Sequence, residues 1–293
     1  MFASRIACVR FVLSGLLIIG LTLPVATLAD TAPPARQHTL KLGIYPYSVT
    51  TRVLPAWRPL AKHLQQSLEQ PVMLVSAPDT GAFTERAVNG DYFLYLSAPH
   101  VAAWLDQQEL ANRVRKLTIP AYGRLLTIEE TRYRTLEDLA GRTVATVRQG
   151  TFVAELLDFQ VAVLNKTKPF TITIEAKPTH ASALRALLNG SVDAAFIAPI
   201  PHPHLLDLQA EAAVTVQRTR LSANGMFLAP VSLGTEHALL MGRLLDTFET
   251  ENSAASAVLN TLVPSNPGQF APINDEDIAR LSPLVNNWRR GLN

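Results

Sequence analysis

The feature that most constrains this chain is a segment that occurs twice. Asn89 to Pro99 reads NGDYFLYLSAP, and one hundred residues further on Asn189 to Pro199 reads NGSVDAAFIAP. In both, Asn-Gly follows a run with helical apolar spacing, seven residues intervene, and Ala-Pro closes the segment. Gly just past a helix adopts the left-handed conformation at little cost, so each Asn-Gly marks a helix C-cap. The apolar run that follows is too short for a helix and suits a buried strand of a parallel sheet. Pro then ends the strand by withholding a backbone donor.

The flanks repeat in the same order. Leu40 to Ile44 is strand-like and answers to Thr143 to Val147; Val72 to Val75 answers to Phe170 to Ile174. Helical segments fill the gaps, which predicts two βαβαβ units and an α/β fold. A period this long, seen twice, means two lobes rather than a solenoid. Ligands of such sheets bind outside the carboxyl ends of the strands, so the lobes are expected to face each other across a ligand cleft.

Residues 1–29 are a different kind of sequence. Arg5 and Arg10 form a positive region, Phe11 to Val25 is apolar, and Thr27-Leu28-Ala29 has small-residue cleavage character. This is the pattern of a secretory signal peptide cut after Ala29. The rival reading is an uncleaved anchor, but Gly20 and Pro24 interrupt a run already short of the ~20 residues a membrane span needs. Cys8, the one cysteine, lies inside the signal and before its apolar core. The mature chain is therefore expected to lack disulfides and to depend on its cores for stability. Removing two arginines takes the formal charge from +2 to zero, which points to no nucleic-acid or membrane-surface partner.

After a Pro/Ala-rich leader from Asp30 to His38, the first strand runs into Tyr45-Pro46-Tyr47-Ser48. A helix follows with Leu54, Trp57, Leu60, Ala61, Leu64 and Leu68 on one face, and with Pro55 and Pro59 bending it or delaying its start. A further helix passes through Val101, Trp104 and Leu105, and Tyr122 to Ile128 is an extended segment leaving the first lobe. Thr135 and Asp138 predict a capping box on a short helix ended by Gly141. Thr215 to Arg218 and Met226 to Val231 read as strands, the latter returning to the first lobe. Two C-terminal helical stripes are expected, one of Leu239, Leu240, Leu244, Leu245 and Phe248, the other of Ile278, Leu281, Leu284 and Trp288.

Motifs for catalysis are missing: there is no Gly-rich phosphate loop, no H-E-x-x-H and no G-x-S-x-G. His202 and His204 share a side of a Pro-rich loop, but two imidazoles do not make a metal site. No catalytic residue, metal or cofactor is expected. The binding candidates stand at strand ends. Tyr45, Tyr47 and Ser48 follow the first strand of lobe one. Gln149, Gly150 and Thr151 follow the first strand of lobe two, where backbone donors at a helix start can receive an anion; Thr151 either contributes its hydroxyl or simply caps the helix. Ser97 and His100 flank the first Ala-Pro, His100 lining the cleft or capping the next helix. His180 opens the helix before the second repeat strand, where an imidazole could donate to an oxyanion.

Gly43-Ile44-Tyr45-Pro46-Tyr47, Pro59-Leu60-Ala61-Lys62-His63-Leu64 and Thr135-Leu136-Glu137-Asp138-Leu139-Ala140-Gly141-Arg142-Thr143-Val144-Ala145 resemble the phosphate/phosphite/phosphonate periplasmic solute-binding proteins. The resemblance runs from about Leu40 towards the C-terminus and includes Pro272 to Asp277. It implies a two-lobed type 2 periplasmic binding protein fold, each lobe a mostly parallel sheet flanked by helices, closing on a small solute. It also implies that Tyr47 is the cleft aromatic, that His180 is the histidine before the second repeat helix, and that Thr151 belongs to a hydroxyl-rich helix start. That start is here Gln149-Gly150-Thr151-Phe152, Ala198 replaces an acidic residue, and a tyrosine after Pro99 is absent. Desolvating a phosphonate dianion takes several directed donors, and some are gone.

The expectation is a monomeric periplasmic solute-binding protein, not an enzyme, serving an ABC permease. The rivals are a partner of a sensor kinase and an enzyme on the same scaffold. The expected lobes are 38–122 plus 222–293 and 123–221.

Overall fold

The computed structural model describes residues 38–46, 50–128, 132–199, 213–219, 223–251 and 269–290. The expected signal peptide, the expected leader as far as residue 37, Tyr47, Ser48, His202 and His204 lie outside them. In chain order come β1 (Leu40–Ile44), α1 (Thr50–Leu68), β2 (Val72–Val75), α2 (Thr80–Val88), β3 (Leu94–Ser97), α3 (Pro99–Gln107), β4 (Ala111–Ala121) and β5 (Arg124–Thr127). Then follow β6 (Thr143–Val147), α4 (Phe152–Leu164), β7 (Thr173–Lys177), α5 (His180–Leu188), β8 (Ala194–Ile197), β9 (Val214–Arg218) and β10 (Ala223–Pro230). The described chain ends with α6 (Gly234–Glu251), β11 (Phe270–Ala271), α7 (Asp275–Ala279) and α8 (Ser282–Arg290).

Both repeats fold alike. Asn89 and Asn189 are the C-caps of α2 and α5, and Gly90 and Gly190 each take φ of 75°. The strands that follow, β3 and β8, are buried throughout, and Pro99 also opens α3 at a position where its missing N–H costs nothing. The two units build β2-β1-β3 and β7-β6-β8, both parallel and in equivalent order.

Each sheet is mixed rather than mostly parallel. The first has the order β11-β4-β10-β3-β1-β2 and the second β7-β6-β8-β5-β9. Strand β10 runs antiparallel to β3 and β4, while β5 runs antiparallel to β8 and β9. The reason is the chain path. It leaves the first sheet through β4, enters the second through β5, and returns through β10, so the connecting strands run against the βαβ strands. The crossing at Tyr122–Arg124 is tied down by Gly123, whose N–H donates to Thr219 Oγ1 at 3.0 Å. A Cβ on Gly123 would lie 2.3 Å from the Phe196 ring, a close approach that only glycine permits.

The apolar face of α1 packs as its spacing predicts. Trp57, Leu60 and Leu64 are fully buried, and each leucine contributes about 1.5–3 kcal/mol. The helix includes both Pro55 and Pro59 within Thr50–Leu68. The capping box at Thr135 also forms: the backbone N–H of Thr135 donates to Asp138 at 2.9 Å, ahead of a 3₁₀ turn over Leu136–Leu139. Ile278, Leu281, Leu284 and Trp288 are buried together.

Two further expectations are corrected, and one strand was missed. The strand expected over Phe170 to Ile174 is Thr173–Lys177, because Phe170 N–H donates to Asn165 Oδ1 at 2.8 Å and closes the end of α4 instead. Leu239 is half exposed at 51%, and Ala238 and Met241 take the buried side of α6. The long strand β4 was not foreseen. Its Arg113, Arg115 and Lys116 interrupt the apolar pattern and are matched by Asp106 and Asp275, Asp246, and Asp277 respectively.

Candidate functional site

The carboxyl end of β1 and the amino end of α4 meet at one peptide, that of Gly150. Tyr45 follows β1 directly, its amide bonded to Leu96 O at 3.0 Å, and its ring packs edge-on to Phe83. The phenol lies 3.0 Å from Gly150 O and 2.8 Å from Thr80 Oγ1, and the residue is buried. A carbonyl can only accept, so the phenol donates to Gly150 and accepts from Thr80. Thr80 is the first residue of α2, set by the Asp79 cap, whose Oδ1 accepts from Ala82 N–H at 2.8 Å.

His100, the second residue of α3, reaches the same carbonyl. Its Nε2 lies 3.1 Å from Gly150 O, so Nε2 carries the proton and donates. The ring stacks on Phe152 and meets Trp288 edge-on. Burial lowers its pKa to about 4, which keeps it neutral, and Nδ1 has no partner among the described residues. His100 therefore does not cap its own helix but binds across to the second sheet. The Gly150 carbonyl is doubly bonded and has no lone pair left for a solute.

The amide of the same residue is also engaged. Gly150 takes φ of 80°, and its N–H donates to Glu155 Oε1 at 3.0 Å. Glu155 stands in the first turn of α4 and is buried; burial raises its pKa to about 7, with the Gly150 N–H pulling the other way and Asp158 adding to the rise. A carboxyl group of the chain itself thus sits on the donor that a bound anion would use. Thr151 caps α4: Oγ1 accepts from Ala154 N–H at 3.4 Å and donates to Arg148 O at 2.9 Å. Gln149 donates to Asp158 Oδ2 at 3.1 Å. Ser97 is buried and its hydroxyl stays local, donating to Ala98 O at 3.3 Å.

A second group gathers at the carboxyl end of β8. The Thr179 cap sets His180 at the start of α5, and His180 Nδ1 accepts from Ala198 N–H at 3.3 Å. Its proton is therefore on Nε2. Burial, with a smaller push from Arg124, lowers its pKa to about 4. Arg124 opens β5, opposite Ile197 on one side and Arg218 on the other. The Arg218 guanidinium lies over the Tyr122 ring, 5.8 Å from its centre.

Of the residues named from sequence, Tyr45, His100 and Gly150 are brought into contact, with Gln149 and Thr151 beside them, while His180 belongs to the second group. Thr80, Glu155, Arg124 and Arg218 were missed. Glu155 had a signal, a lone carboxylate in the apolar run Phe152 to Leu157. The arginines had none, since their opposition arises from strand pairing. Among the described residues no cluster of three or more His, Cys, Asp or Glu side chains is arranged to hold a metal ion, and no helix is long and apolar enough to cross a membrane.

Comparison with known proteins agrees with this architecture. Methylphosphonate-bound PhnD1 from Prochlorococcus marinus superposes with a TM-score of 0.69 at 10% identity, over 86% of this chain and 98% of that one. A binding protein component of an ABC phosphonate transporter from Pseudomonas aeruginosa gives 0.68 at 16% identity, over 87% of each chain. The ATP-bound protein XAC2383 from Xanthomonas citri gives 0.68 at 13% identity, over 86% and 97%. No curated protein matches the sequence. The family model for the ABC transporter, phosphonate, periplasmic substrate-binding protein matches residues 42–278. With that match over most of its length and two mixed sheets bridged at Gly150, the chain belongs to the periplasmic substrate-binding proteins of phosphonate ABC transporters.

Proposed function

We propose that the mature chain captures a small organic oxyanion between two lobes and delivers it to an inner-membrane ABC permease. The lobes in this reading are 38–122 with 222–293, and 123–221. The observation that carries it is the Gly150 bridge, which joins residues following β1 and opening α3 to the loop before α4. A solute touching both lobes would favour the closed arrangement by its differential affinity for that state. Binding without catalysis is the proposed activity, and the signal peptide is proposed to be cut after Ala29. A sensor kinase in place of the permease would read the same closed form.

The test is a thermal-shift screen of the mature chain against phosphate, phosphite, methylphosphonate, sulfonates, carboxylates, amino acids and neutral sugars. A binder at a hundredfold excess over its dissociation constant stabilises by about 2.7 kcal/mol, a readily visible rise in midpoint. A rise with an organic oxyanion supports the reading. Silence across the whole panel overturns it.

A further inference from the structure

Two independent observations bear on where the solute's charge is held. The first is the occupied amino end of α4. Gly150 N–H is bonded to Glu155, Thr151 Oγ1 to Ala154 and Arg148, and Gly150 O to Tyr45 and His100. An acidic head placed there would meet the Glu155 carboxyl on the Gly150 N–H and a Thr151 hydroxyl already bonded.

The second is an unfavourable pairing on the other side of the second sheet. Arg124 of β5 and Arg218 of β9 are directly opposed in antiparallel register. Directly opposed residues put their side chains on one face with Cβ atoms roughly 4.5–5.5 Å apart, and like charges there repel. Burial lowers the pKa of Arg124, the Tyr122 phenol raises it, and Arg218 adds a smaller push downward. Arg124 is partly buried and Arg218 exposed, and Arg124 also opposes Ile197, the last residue of β8. The pair therefore lies at the carboxyl end of a βαβ strand, where ligands of such sheets bind. His180, with Nδ1 taken by Ala198 and Nε2 left as a donor, stands close enough to sense Arg124. An anion with two or more oxygens would bond both guanidiniums and turn the repulsion into attraction.

We propose that Arg124 and Arg218 form an oxyanion subsite, which holds the acidic head of the solute on the β5–β9 side and away from the amino end of α4. The proposal rests on the solute-binding reading above and specifies which residues carry its charge recognition.

The experiment is isothermal titration of the mature chain with methylphosphonate, methanesulfonate and acetate. It compares wild type with R124Q, R218Q, R124K and the exposed charge control R185Q. A lost charge-assisted hydrogen bond is worth about tenfold to a hundredfold in affinity. The expected result is a loss of that size for R124Q and R218Q, partial recovery in R124K, and R185Q within about twofold of wild type. Far-UV circular dichroism checks folding, and because Arg218 is exposed, R218Q keeps the test open should R124Q unfold. Equal affinity in wild type and both glutamine variants overturns the subsite and leaves solute binding intact. If none of the three anions binds wild type, the subsite is refuted too. The solute-binding reading would then be judged separately, by the amino acids and neutral sugars of the thermal-shift panel.

Discussion

The Tyr45 hydroxyl donates to the carbonyl oxygen of Gly150 across 3.0 Å, joining residues 105 positions apart. His100 Nε2 donates to the same oxygen at 3.1 Å. Both lone pairs of one carbonyl are thus used by Tyr45 and His100, so any separation of the sheets at this point must break two bonds.

Removing one donor leaves the carbonyl with its second. Tyr45→Phe is expected to lower unfolding free energy by about 1 kcal/mol in urea denaturation, and His100→Phe by a similar amount. The double variant should cost more than the sum, because the part-buried carbonyl then loses both side-chain partners. Simple additivity would show that the two bonds do not share the acceptor's fate.

Gly150 takes φ of 80°, and an added Cβ would sit 3.4 Å from Thr80 Cβ. Gly150→Ala is expected to cost about 1–3 kcal/mol. If G150A melts with wild type, the left-handed conformation matters less than its geometry indicates.

Glu155 makes stability depend on pH. Its folded pKa of about 7 lies above the ordinary 4.5, so the folded state holds a proton that the unfolded state has released. Its contribution is complete below about 4.5 and is lost as pH rises through 7. His100 and His180 act in the opposite sense. Their folded values of about 4 lie below 6.5, so their contribution is present above 6.5 and lost as pH falls towards 4. Glu155→Gln should therefore steepen the loss of stability between pH 6.5 and 4.5, seen in denaturation midpoints across a pH series. An unchanged pH profile would remove Glu155 from this role.

Helix α8 holds Trp288 against His100 and Trp104, with ring centres 5.4 and 5.7 Å away. Trp288→Ala opens a cavity among groups from α3 and α4 and is expected to cost about 3–5 kcal/mol. A much smaller loss in guanidinium denaturation would mean that the C-terminal helix is peripheral to the fold.

Much of the fold was legible because its signals are short. Asn-Gly after an apolar helical run gave both C-caps, Thr135 with Asp138 gave the capping box, and the spacing from Leu54 to Leu68 gave the buried face of α1. Each is decided by residues within one or a few helical turns. Strand β4 escaped because its charges look solvated until Asp246 and Asp277 arrive from more than a hundred residues away. The start of β7 was misplaced because the choice between ending α4 and starting a strand rests on Asn165 reaching Phe170.

The sequence by itself determined the two βαβαβ units and their order, since caps and apolar periods act locally. Only the tertiary structure decided that β10 and β5 run antiparallel beside β3 and β8, because hydrogen-bonded register between distant strands has no local code. It also decided that the peptide of Gly150 is closed by Tyr45, His100 and Glu155, and that Arg124 stands opposite Arg218. These pairings depend on where whole elements dock, and that is settled by core packing over the full chain.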